Sequence, residues 1–159
     1  MKYRRLNQEE LQSLEAEFIR FLSANTVTGP DWEQLKAQAP EKAERLISLF
    51  SDIVFDKVLQ EVKFLTFKTP KDIKVFQCLA DKIVLMGMQI EGESPINFTQ
   101  DQPPQELMAR LMQSNARLSV YTAEKPYTKE REMELFEMME GGCLISDGTL
   151  FAALQAVKK

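Results

Sequence analysis

The sequence predicts an α+β protein, with a three- to four-stranded antiparallel sheet (meander) packed against N-terminal and C-terminal helices. Three observations predict it. Apolar residues recur at helical spacing from Leu11 to Val62. The period then shortens towards two through KFLTFK, IKVFQCL and KIVLMGMQIE. Helical spacing returns after Pro103-Pro104, interrupted by one β-like run, LSVYTA. Helices, strands and helices in blocks, rather than alternating βαβ units, give the α+β class. One domain over residues 1–159 is expected, since this length suits one core.

Asn7 reads as an N-cap with Glu10 as its capping-box partner. Leu11, Leu14, Phe18, Phe21 and Leu22 then predict a helix over about 8–24. Pro30 suits a first helical turn, where its missing N–H costs nothing, and opens a short helix with Trp32 and Leu35. Pro40 opens the longest helix. Its apolar stripe (Leu46, Ile47, Phe50, Ile53, Val54, Leu59) is broad enough to suggest a central position.

The strands follow at 63–68, 73–79 and 82–91, joined by the turn TPKD and by Ala80-Asp81. Residues 71–90 also fit a helix, through Leu79, Ile83 and Met86, but Gly87 and the β-branched content favour strands. Pro103-Pro104 leads into the helix QELMARLMQSNA, LSVYTA (118–123) is a fourth strand, and EKPY turns. Thr128 is the expected cap of a helix reaching about 140, closed by Gly141-Gly142. Asp147 caps the last helix, with Lys158-Lys159 at its C-terminal end. Between them, GGCLIS reads as a packed corner, with Leu144, Ile145, Leu150 and Leu154 buried together and Gly141 or Gly142 at positive φ.

Composition excludes more than it assigns. The chain carries 44% hydrophobic and 28% charged residues, ordinary for a globular domain, and a net charge of −4. That acidity opposes general nucleic-acid binding, which draws on a basic excess. There is no histidine, so serine–histidine triads and cysteine–histidine dyads cannot be built. Two distant cysteines, Cys78 and Cys143, cannot supply a zinc site, and both are expected to be buried reduced thiols. No cofactor or metal is expected. The charged start MKYRRLNQEE carries no leader-like apolar run, and no run of about 18 apolar residues exists. A cytoplasmic location is therefore expected.

Several residue sets are candidate sites. Tyr121, Lys125, Tyr127 and Arg131 could line a polar pocket beside a strand end. Lys63, Lys68, Lys71 and Lys74, with Phe64 and Phe67 interleaved, resemble an aromatic platform for single-stranded nucleic acid. Arg4 and Arg5 could add a basic arm, although Glu9 and Glu10 follow at once. Lysines on a hairpin also serve simply to block edge pairing. Asp52 and Asp56, one turn apart, are a weak hard-metal pair. GGCLISDGTLFAAL has the outline of a helix-turn-helix. Its second helix, however, brings no Arg, Asn or Gln at its start to read bases.

The start MKYRRL, the segment FSDIVF and the closing run KPYTKEREMELFEMMEGGCLISDGTLF resemble a small family of uncharacterised bacterial proteins found mainly in Bacteroidetes. The resemblance implies a soluble protein of unknown function and brings no catalytic residues with it. The leading expectation is a non-enzymatic interaction or accessory module that holds a protein partner, or a second copy of itself, at a strand edge or helical groove. The alternatives are a nucleic-acid or phosphate binder through the Lys63–Lys74 strands and the Arg4/Arg5 arm, and a small enzyme working without histidine or metal.

Overall fold

A computed structural model describes residues 2–92, 94–114 and 117–158. The expected helical placement of Asn115 and Ala116, and the expected charge of Lys159 at the last helix end, lie outside the described residues. The chain forms two compact units, Met1–Gln60 and Glu61–Lys159.

The first unit is helical: α1 (Gln8–Ser13), α2 (Glu15–Ala24), α3 (Gly29–Gln38) and α4 (Pro40–Glu61), which ends one residue into the second unit. The expected capping box is formed, since the Asn7 side chain accepts from Glu10 N–H and the Glu10 carboxylate accepts from Asn7 N–H. The single helix expected over 8–24 is instead broken at Leu14, where ψ is 23°. Ser13 Oγ donates to Glu10 O at 2.8 Å, and Leu14 N–H is shared between Glu10 O and Leu11 O. That competition for one carbonyl loosens the turn. Thr28 and Asp31 form a second capping box at α3. Phe18, Phe21, Trp32 and Phe50 make an aromatic cluster with centroid separations of 5.0–6.2 Å. On α4, Ala43, Phe50, Ser51 and Leu59 are buried, whereas Leu49, Ile53 and Val58 are exposed. The apolar stripe is therefore narrower than its sequence implied.

The second unit is built on a sheet of β1 (Phe64–Thr69), β2 (Asp72–Cys78), β3 (Lys82–Glu91), β4 (Arg117–Pro126) and β5 (Leu144–Ser146), with α5 (Pro104–Gln113), α6 (Arg131–Glu140) and α7 (Thr149–Lys158). The order is β4-β3-β2-β1-β5, and every neighbouring pair is antiparallel. Segments 72–78 and 82–91 are strands, not the helical alternative. Five strands replace the three or four expected, and β4 runs through EKP, where a turn was expected.

Alternation along each strand sorts the side chains by face. Ile73, Val75, Met86, Met88 and Ile90 point to the face carrying α7, and pack with Phe98, Leu107, Leu111, Leu150, Phe151 and Leu154. Phe64 joins them at 5.5 Å from the Phe151 ring. Lys74, Gly87 and Tyr121, in register across three strands, lie on the opposite face together with Asp72.

The fifth strand is the main departure. GGCLISDG was expected to plug a corner with Leu144 and Ile145. Those residues are instead 72% and 51% exposed and pair with Thr66 and Leu65 of β1. Leu150 and Leu154 are buried as expected, and Gly142 has φ +115°, a backbone region that glycine enters without a Cβ penalty. Cys143 N–H donates to Met138 O at 3.0 Å, so the turn closes α6 and sends the chain out along the sheet edge. Asp147 Oδ1 accepts from Thr149 N–H at 2.9 Å, starting α7 as expected. Thr128 does not cap α6. Glu130 holds the N-cap position without a side-chain capping bond.

Candidate functional site

The end of β4 and the start of α6 bring together three of the four residues of the expected polar pocket. Arg131 Nε donates to Leu79 O at 3.1 Å, and its Nη2 donates to Val62 O at 2.6 Å and Cys78 O at 3.1 Å. Tyr127 Oη donates to the same Leu79 carbonyl at 2.7 Å. Lys125 Nζ donates to Glu134 at 3.0 Å, and Thr128 donates to that carboxylate through both N–H and Oγ1. Glu134 is buried. The guanidinium fork gathers the carbonyls of Val62, Cys78 and Leu79, and the carboxylate gathers donors from the 125–128 connection. These polar groups are directed at one another and at the protein's own backbone.

Tyr121 belongs to a different cluster. Its hydroxyl donates to Asp72, which also pairs with Lys74, and Lys74 Nζ lies 5.5 Å from the Tyr121 ring centroid. Burial, and then the hydrogen bond to Asp72, hold the Tyr121 phenol above its ordinary pKa. The Asp72 contact likewise raises Lys74.

The basic set does not make one surface. Lys68 lies on the α7 face and Lys74 on the opposite one. Lys71 Nζ donates to Gly92 O at 2.9 Å, and Lys63 is exposed just before β1. Phe64 and Phe67, three residues apart on one strand, also point to opposite faces, so no stacking platform forms. In the first unit, Arg4 pairs with Glu10 at 2.8 Å and lies over the Phe55 ring, while Arg5 approaches Glu44 at 3.6 Å. Asp52 accepts from the backbone N–H groups of Lys2 and Tyr3, and Asp56 accepts from Tyr3 Oη and Lys2 Nζ. The paired carboxylates thus anchor the first residues of the chain. No group of three potential metal ligands occurs among the described residues. Cys78 and Cys143 are free and buried; burial pushes the Cys78 thiol up to about 11 and raises Cys143.

One concave feature of this unit was not anticipated. Beside β5, on the α7 face, a cavity of about 470 Å³ is bounded by Thr66 and Lys68 of β1, Thr99–Gln102 and Leu144–Asp147. Thr66 Oγ1 and Ser146 Oγ share a hydrogen bond of 2.7 Å across the strand pair at its wall. The sequence marks only the bounds of β5: an apolar pair lies between a glycine doublet and Asp-Gly, both turn formers.

The whole chain, residues 1–159, matches a family described as of unknown function, DUF6495. No curated protein and no solved structure matches it. No helix among the described residues is long and apolar enough to cross a membrane.

Proposed function

The chain belongs to this family of unknown function, and we propose from its geometry that it is a protein-interaction module that takes an extended peptide along β5. One observation carries the proposal: the sheet ends in a strand whose two apolar residues are 72% and 51% exposed, beside a cavity of about 470 Å³. Strand addition draws affinity from main-chain hydrogen bonds and specificity from pockets that take alternate side chains. β5 supplies a free edge, and the cavity supplies such a pocket on one face.

The other edge of the sheet supports the choice by contrast. β4 carries Arg117, Glu124, Lys125 and Pro126, the residue types that discourage edge pairing. β5 has neither a charge nor a proline. The reading includes the cytoplasmic location expected from the sequence.

A displayed library of short peptides tests the proposal. Selected peptides should shift the amide resonances of residues 144–146 and bind the Ile145→Lys protein at least about tenfold more weakly. The reading fails if no peptide is selected, or if the selected peptides bind Ile145→Lys equally well.

A further inference from the structure

The first unit holds a groove that none of the candidate sites uses. Helices α2 and α3 enclose about 430 Å³ between them. Phe18, Leu22, Val27 and Trp32 line it, and Ile19 stands 54% exposed on its wall. The Phe18 and Trp32 rings meet edge to face, 5.2 Å apart at 85°, and Phe50 backs Phe18 at 5.0 Å. The lining is thus fixed by aromatic packing. Along α2 the groove runs from Glu15 to Ser23, about 12 Å at the helical rise per residue, or roughly two turns.

Its charge is one-sided. Helices α2 and α3 carry the acids Glu15, Glu17, Asp31 and Glu33 against the bases Arg20 and Lys36, an excess of two negative charges. Both bases are already engaged. Arg20 lies 3.6 Å from Glu17; Lys36 lies 3.0 Å from Glu33 and over the Trp32 ring. Glu15, on the groove wall, makes no ion pair among the described residues.

An apolar slot about two helical turns long, set in an acidic hairpin, matches an amphipathic helix with an apolar stripe flanked by lysine or arginine. We infer that the α2–α3 groove docks a basic amphipathic helical segment of a partner protein. The inference uses no residue of β5 and stands apart from the peptide-binding reading. The acid excess disfavours anionic lipid and nucleic acid as occupants, because like charges repel.

Trp32 is the chain's one tryptophan, so its fluorescence reports this groove directly. The full chain is titrated with a helical Leu/Lys peptide and with a Leu/Glu peptide of the same apolar pattern. The expected result is a saturable blue shift with Leu/Lys that weakens as salt rises, and none with Leu/Glu. Ile19→Lys, at an exposed position, should weaken the Leu/Lys response at least about tenfold, with circular dichroism confirming the fold. Glu15→Gln should reduce its salt dependence. Emission indifferent to Leu/Lys, an equal response to both peptides, or full binding by Ile19→Lys overturns the inference. A shift with anionic vesicles and none with Leu/Lys overturns it in favour of lipid.

Discussion

The phenol ring of Tyr121 fills the space above Gly87: a Cβ added at residue 87 would lie 2.1 Å from Tyr121 Cζ. The two residues face each other across β3 and β4, and the ring is tied down by Asp72 and Lys74. Gly87→Ala must therefore push the ring off its hydrogen bond. A loss of about 1–3 kcal/mol is expected in chemical denaturation. Adding Tyr121→Ala should recover part of that loss, because the clash is removed with the ring. A strictly additive double-mutant cycle would show that the two residues are not coupled.

Arg131 serves three backbone carbonyls with one planar group. Lysine carries the charge but not the fork. Arg131→Lys should thus cost about 2 kcal/mol, since buried acceptors are left without donors. Glu134→Ala should cost about 1–2 kcal/mol. Its partner Lys125 is 58% exposed and regains water when the carboxylate goes. Equilibrium unfolding of both variants decides this. An Arg131→Lys protein as stable as the parent would remove the structural role assigned to the guanidinium.

What could be read from the sequence follows the range of the forces involved. The long helix α4 and the meander β1–β3 were legible because periodicity repeats over many residues. The Asn7 cap was legible because its partner is three residues away. Strand β5 is only three residues long, too short to show a period, and it exists through pairing with a strand about eighty residues earlier, as the Thr66–Ser146 bond illustrates. The break at Leu14 coincides with a serine hydroxyl that bonds the Glu10 carbonyl. For the candidate pocket, Lys125, Tyr127 and Arg131 do converge. Their partners are mostly backbone carbonyls and the buried Glu134, which residue type alone does not reveal. Tyr121 fell elsewhere because the sheet register sets it opposite Gly87, from where its hydroxyl reaches Asp72.

Cys78 and Cys143 are 5% and 8% exposed, and burial raises both thiol pKa values. The thiolate is the reactive form. Neither residue should therefore react with a thiol reagent near neutral pH on the timescale of an exposed cysteine, and both should react once the chain is unfolded. Rapid labelling of native protein at either position would contradict the packing described for it.

The three tyrosines give a stability prediction with a defined sign. Burial is the first cause holding each phenol above the ordinary value of 10.0, and Tyr3, which also bonds Asp56, is pushed up to about 12. A raised folded-state pKa means that the unfolded chain loses its proton first as pH rises. The contribution of Tyr3 is therefore complete below pH 10.0 and is lost between 10.0 and about 12. Phenolate absorbance should lag the ordinary titration and then rise together with unfolding followed by circular dichroism. Tyr3→Phe should flatten the alkaline fall in stability while lowering stability at neutral pH, because its bond to Asp56 is gone. Phenolate absorbance that follows an ordinary titration while the fold persists would show that the phenols are not held as described.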